Sequence, residues 1–325
     1  MIAAGCDRPA TSDKAIVFAC DGNYAPFALF AAAQIDRLAP GRDFDICLCS
    51  MEPSVPVPSL AGTGVRHCRI DTGGVFRAMK LDARRTEASY LRLALPAAFA
   101  GAYRRLLYLD ADVFIQGGDF SRLLDLDLGG AAVAAVRDNS QWRTPGRRPD
   151  SFRRLGLPAS VPYFNSGVLL IDTAAFGAAR VLERCLAFAA EHPPERIGLD
   201  QDLVNAVLRG DWAELSPVWN WQYTWASRLT EAMEGAHVVH FIGPKKPWRH
   251  DGGELPPRFR AAYRAFFATH FPDAPIGPDG TPPHLNLTFQ RRMLVKHLLA
   301  SGKMAAYLGR FESDMTVLDN RRGGG

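Results

Sequence analysis

The sequence predicts an α/β fold: a mainly parallel central sheet flanked by helices, followed by a C-terminal helical tail. Three observations carry this. Short apolar runs alternate with stretches of helical periodicity through most of the chain, the pattern of strands joined by crossover helices. The clearest run, Leu106-Leu107-Tyr108-Leu109, stops abruptly at Asp110-Ala111-Asp112, as a strand does where it leaves a sheet at its ligand-binding edge. The 325 residues are 47% apolar, enough for one large core or two smaller ones.

In order, residues 14–20 read as a buried strand, Asp21-Gly22-Asn23-Tyr24 as a turn and 26–38 as a helix. Residues 44–49 and 65–70 read as further strands. Tyr90, Leu91 and Leu95 fall at helical spacing within 85–99, and the strand 106–109 follows. Apolar runs at 131–136 and 168–171 add two strands, and the apolar periods of 176–190 and 199–208 predict amphipathic helices. Residues 238–241 form a late strand, and 258–267 a helix. The density of Pro and Gly across 273–283 marks a linker. The expected organisation is an extension over 1–13, a main domain over 14–272, the linker, and a basic amphipathic tail over 284–325.

The formal charge of +4 is small for this length, and no Arg/Lys stripe interleaves with aromatics, so nucleic acid is excluded as a partner. No secretory or membrane-spanning pattern is read, and cytoplasmic residence is the expectation. The six cysteines are scattered, most in apolar contexts that suit buried reduced thiols, and Cys47-Leu48-Cys49 reads as strand alternation. In the tail, Leu294, Val295, Leu298 and Leu299 mix with Arg291, Arg292, Lys296 and Lys303. Such a helix either lies on an anionic membrane surface or packs on the main domain with its basic face in water.

The chemistry starts at Asp110 and Asp112. Three other Asp-x-Asp triplets occur, at 43/45, 125/127 and 200/202, but only this one terminates a clear apolar strand. Two carboxylates so close repel each other and are tolerated mainly when a cation neutralises them. His240, at the end of the late strand, is a candidate imidazole ligand, and Gly243 and Lys246 follow in a loop that can approach and neutralise a phosphate. A phosphatase of the haloacid-dehalogenase type is a rival reading, with Asp110 as nucleophile and Asp112 as acid/base partner. A non-catalytic sugar-nucleotide-binding module is another.

Four motifs in order resemble glycosyltransferase family 8, the retaining enzymes that include bacterial lipopolysaccharide galactosyl- and glucosyltransferases and glycogenin. They are Phe18-Ala-Cys-Asp-Gly-Asn-Tyr24; Leu107-Tyr-Leu-Asp-Ala-Asp-Val113; Tyr163-Phe-Asn-Ser-Gly-Val-Leu-Leu-Ile171 with Asp200-Gln-Asp202; and His240-Phe-Ile-Gly-Pro-Lys-Lys-Pro-Trp248. The resemblance implies a GT-A fold. It implies that Asp110, Asp112 and His240 hold Mn²⁺ (or Mg²⁺) against the diphosphate of a UDP-sugar, UDP-galactose or UDP-glucose, which Gly243 and Lys246 also contact. Ala19, Asp21, Asn23 and Arg92 would meet the rest of the donor. Asp138, Asn165, Asp200 and Gln201 would surround the transferred hexose, and the acceptor would be a saccharide or glycolipid. Read from the residues alone, Asn165 can instead hold a turn, Asp200 cap a helix and Asp138 sit in a loop. Between 136 and 162, Arg137, Arg143, Arg147, Arg148, Arg153 and Arg154 make a basic loop around Trp142 that either covers the diphosphate, binds an acidic acceptor, or is simply solvated.

Overall fold

The computed structural model describes residues 2–79, 86–143, 149–249, 255–277 and 286–322. Arg147 and Arg148 of the basic loop, Arg85, and 278–283 of the linker lie outside them.

Strands run β1 (Ala3–Cys6), β2 (Lys14–Ala19), β3 (Asp45–Ser50), β4 (Val65–Asp71), β5 (Arg105–Leu109), β6 (Val113–Ile115), β7 (Val133–Arg137), β8 (Phe164–Asp172), β9 (Ala213–Leu215), β10 (Trp221–Gln222), β11 (Val238–His240) and β12 (Val317–Asp319). Nine of them form one sheet in the order β1-β4-β3-β2-β5-β8-β7-β9-β12. Six point the same way; β1, β8 and β12 run against them. The mainly parallel sheet expected from the alternation is thus present, with a reversed strand, β8, beside its central strand β5.

Period-two alternation divides each strand between two cores. Ala15, Val17, Leu106 and Tyr108 face a core beneath the helices Leu91–Ala98, Val181–Glu191 and Asp200–Leu208. Ile16, Phe18, Leu107 and Leu109 face the opposite core, capped by Ala25–Leu38 and Phe120–Leu124. The expected helix over 176–190 is two, Thr173–Ala178 and Val181–Glu191, because Arg180 takes a left-handed φ of 50° and turns the chain between them.

The ends of the described chain both add strands. β1 pairs antiparallel with β4, Cys6 lies opposite Cys68, and the two form a disulfide, whereas Cys20, Cys47, Cys49 and Cys185 are free and buried. The C-terminal helix Leu287–Leu308 runs straight through Gly302, and β12 then closes the other sheet edge against β9. Among the described residues no helix is long and apolar enough to cross a membrane.

Candidate active site and metal centre

Three ladder details build the site. In the small sheet β10-β11-β6, His240 is in register with Val113, so the imidazole stands next to Asp112, and the Phe241 N–H donates to the Asp112 carbonyl at 3.1 Å. In the large sheet Leu109 lies opposite Val168, and the Asp110 N–H donates to the Gly167 carbonyl at 2.8 Å. The β7–β8 ladder then jumps from Ala135↔Leu169 to Val136↔Asn165. That bulge releases Ser166, Gly167 and Val168 from the ladder with β7 and leaves Ser166 and Gly167 beside the centre, a familiar use of bulges beside active sites.

Asp110, Asp112 and His240 each offer one ligand atom, and those atoms lie within 4.8 Å of one another. His240 Nε2 is 3.1 Å from Asp112 Oδ1 and 3.7 Å from Asp110 Oδ2. The remaining atoms of the three groups are occupied. Asp110 Oδ1 accepts from Tyr108 Oη at 2.6 Å and from Arg92 at 2.9 Å. Asp112 Oδ2 accepts from Lys246 Nζ at 2.5 Å, and His240 Nδ1 meets Asn220 Oδ1 at 3.0 Å. Asp112 Oδ1 is buried and has no hydrogen bond. A buried carboxylate oxygen without a donor is costly, and here it points at the other two free ligand atoms. Two carboxylate oxygens and one imidazole nitrogen, each oriented by a second partner, fit a hard divalent cation.

The electrostatics hold Asp112 as the carboxylate. Burial alone would push the Asp112 carboxyl up, but His240 and Lys246 hold it well below the usual carboxylate range. Burial likewise works against charge on Arg92, yet Asp110 and Asp200 raise its pKa further above the ordinary value. Arg92 contacts Asp200 at 3.2 Å and donates to the carbonyl and hydroxyl of Ser166 at 2.7 and 2.9 Å, so its fork fixes one edge of the centre.

A second cluster adjoins it. Gln201 Oε1 accepts from Asn165 Nδ2 and from the Ser166 N–H, both at 3.1 Å. Its Nε2 donates to Tyr163 Oη at 3.1 Å and reaches Asp138 Oδ2 at 3.5 Å. Asn220 Nδ2 donates to Asn165 Oδ1 at 2.9 Å, which joins this cluster to His240. Asp138, Asn165, Asp200 and Gln201 therefore share one continuous network with Asp110, Asp112 and His240.

The residues expected to meet a donor lie near the same sheet edge. Ala19 closes β2, whose Phe18 pairs with Leu109 just before Asp110. Asp21 Oδ1 accepts from the backbone N–H groups of Asn23 and Tyr24, and its Oδ2 accepts from Thr86 Oγ1 at 3.2 Å. Asn23 is exposed, with no side-chain link to the centre. Gly243 has φ of 81°, a conformation that favours glycine, and a Cβ there would meet nothing within 4 Å. Of the basic loop, Arg137 turns inward to Glu214, Arg153 pairs with Asp150, and Arg154 bonds the Arg196 carbonyl.

Some residues of the site carry no chemical signature in the sequence. A Cβ on Gly167 would overlap the His240 ring and stand 2.8 Å from Asp110 Oδ2, so only glycine admits this packing. Tyr108 reads as one more apolar residue of a buried strand, and nothing in the local sequence singles out Asn220. Their roles follow from the ladders, although Gly167 stands inside a motif that already names Asn165.

General stress protein A of Bacillus subtilis (strain 168) is 30% identical to this chain over 202 residues, 58% of this chain and 68% of that protein. Lipopolysaccharide 1,2-glucosyltransferase of Escherichia coli (strain K12) is 32% identical over 173 residues, so the match spans 50% of this chain and 49% of that relative. The crystal structure of the galactosyltransferase LgtC in complex with donor and acceptor sugar analogs has a TM-score of 0.62 at 24% identity, covering 77% of this chain and 95% of that one. The shared fold is the GT-A fold. The family model described as glycosyl transferase family 8 matches residues 15–252, which hold every site residue described above, and the chain belongs to that family.

Proposed function

We propose that this protein transfers glucose or galactose, with retention at the anomeric carbon, from a UDP-hexose to a sugar of lipopolysaccharide or another surface glycan. Mn²⁺ (or Mg²⁺) is the proposed cofactor. The observation that carries the reading is the convergence of Asp110, Asp112 and His240 around an oxygen that lacks a donor. Membership of the family argues against the phosphatase alternative. The similarity to a lipopolysaccharide glucosyltransferase supports the glycan acceptor.

Bound between these ligands, the cation would offset the negative charge that grows on the departing diphosphate. Lys246, in contact with Asp112, adds a fixed positive charge on the same side, and Gly243 lets backbone approach the phosphates. Arg92 keeps Asp110 and Asp200 in place. Asp200 is buried and paired with Arg92, and Asn165 is also buried with both ends of its amide bonded, so the part of orienting sugar hydroxyls falls to Asp138. Gln201 is a poor nucleophile, because a neutral amide oxygen attacks weakly and both its lone pairs already accept hydrogen bonds. This favours attack from the face that UDP leaves, with the amide dipole of Gln201 steadying positive charge and a donor phosphate oxygen taking the acceptor proton. Ala19, Asp21 and Asn23 would bind the nucleoside. Exposed Leu294, Leu298 and Leu299, beside Arg291, Arg292 and Lys296, support peripheral contact with the inner face of the cytoplasmic membrane.

The test is incubation with UDP-glucose or UDP-galactose and Mn²⁺, reading UDP released. Slow hydrolysis without acceptor, abolished by EDTA, is expected with one donor preferred; mass analysis of glycosylated lipid extracts then identifies the acceptor. UDP-sugar binding without any turnover would instead favour the non-catalytic module, and absence of both would sink the UDP-hexose reading.

A further inference from the structure

Glu214 on β9 is completely buried, and its carboxylate accepts five hydrogen bonds. Two come from Arg137, Nε at 2.9 Å and Nη2 at 2.6 Å. The other three come from the C-terminal segment: Tyr307 Oη at 3.0 Å and Arg310 at 3.1 and 3.0 Å. A buried charge persists only when partners replace the water it has lost, at a penalty of several kcal/mol otherwise. The tail thus supplies three of the five hydrogen bonds that make Glu214 tolerable, and Glu214 in turn holds Arg137.

Arg137 is bonded through its peptide to Asp138. The Asp138 carboxylate reaches Gln201 at 3.5 Å, at the limit of a hydrogen bond, so a shift of a few tenths of an ångström in its backbone disconnects it. The tail grips the following residues as well. Tyr307 stacks on Trp142 with ring planes 6° apart and centroids 5.8 Å apart, and Lys303 Nζ donates to the Arg143 carbonyl at 2.9 Å. From the other side Gln222, in register with His240, accepts from Asn139 and donates to the Arg137 carbonyl. Residues 137–143 are held between the metal-side sheet and the tail.

We infer that Tyr307 and Arg310, acting through Glu214 and Arg137, are positioning residues for Asp138, so that the C-terminal segment is part of the catalytic apparatus. The inference rests on the transferase reading above. Full-length Arg310→Met should keep its Mn²⁺-dependent affinity for UDP within about twofold of wild type, while kcat for UDP release from UDP-glucose or UDP-galactose falls about tenfold. Arg310→Lys, which keeps the charge but not the fork, should recover part of that loss. Amide exchange at 138–143 should quicken in Arg310→Met while β5 and β8 exchange as in wild type. Unchanged exchange at 138–143 in a folded Arg310→Met protein overturns the inference whatever its activity, as does an unaltered kcat. A wild-type protein inert toward both donors sinks the transferase reading instead, and faster exchange at 138–143 would then still support the tail's hold on the loop. Should Arg310→Met fail to fold, Tyr307→Phe removes one hydrogen bond, keeps the stacking, and should lower kcat about threefold by the same route.

Discussion

Two carboxylate clusters in this molecule are built from the same parts and left in opposite states. Around Asp110, a tyrosine hydroxyl and one arginine nitrogen satisfy one oxygen, and the neighbouring Asp112 keeps Oδ1 outside the hydrogen-bond network. Around Glu214, a tyrosine hydroxyl and two arginine forks satisfy both oxygens. A saturated buried carboxylate does nothing further than hold its neighbours. One with an oxygen outside the hydrogen-bond network, next to a second carboxylate and an imidazole, has the donor set that suits a cation.

The largest effect should come from the incomplete cluster. Asp112→Asn replaces the one ligand whose free oxygen is buried and should reduce Mn²⁺-dependent UDP release about a thousandfold, with near-normal circular dichroism. Full activity in that variant would mean the bare oxygen serves no ion, and the contrast between the clusters would vanish.

How far the two clusters can be read in advance differs for a physical reason. Asp110 and Asp112 are legible because a strand end announces them, and the strand itself is legible from period and burial. His240 is legible because it too ends an apolar run. The Glu214 cluster joins residues 137, 214, 307 and 310, each an ordinary amphipathic or charged position locally; the pairing of β7 with β9 and the return of the C-terminal segment to β9 make them neighbours. The same holds for β6 and β10, too short to show a period although they flank the expected late strand β11 and help place the imidazole. The basic residues of 137–154 read as one class, yet Arg137 is an internal ion-pair partner and Arg153 pairs within its own helical turn.

Glu214→Gln tests the saturated cluster. It leaves two guanidiniums facing a neutral amide and should cost about 3 kcal/mol in denaturant unfolding, with the UDP site intact. Burial would raise the Glu214 carboxyl, but Arg137 and Arg310 hold it below its ordinary value of 4.5. A carboxyl depressed in the folded state contributes its stability fully above the unfolded value and loses it as pH falls through the folded one. The gap between wild type and Glu214→Gln should therefore be widest above pH 4.5 and shrink in more acidic solution. A gap that widened on acidification would mean that Glu214 is not held as the anion.

A smaller effect separates packing from ligation inside the incomplete cluster. Gly167→Ala places a methyl group where the His240 ring now lies, while every ligand remains chemically present. Displacement of the imidazole should weaken Mn²⁺ binding about tenfold to a hundredfold, read by the electron paramagnetic resonance of free Mn²⁺. Wild-type affinity in Gly167→Ala would show that the ring can yield without losing its ligand position.

The smallest change in stability is expected on the C-terminal helix, whose two faces repeat the contrast between committed and uncommitted groups. Ala300, Met304 and Tyr307 are buried against the main domain, whereas Leu298 and Leu299 are 62% and 72% exposed. Apolar side chains that remain in water contribute little to folding, so Leu298→Ser with Leu299→Ser should shift unfolding by less than about 0.5 kcal/mol. If that face meets an anionic lipid surface, the same double substitution removes two insertions and should cut partitioning onto phosphatidylglycerol vesicles about tenfold or more. Unchanged partitioning with unchanged stability would leave the exposed leucines without a membrane role. It would not touch the opposite face of the helix, where Tyr307 reaches Glu214 and through it the loop of Asp138.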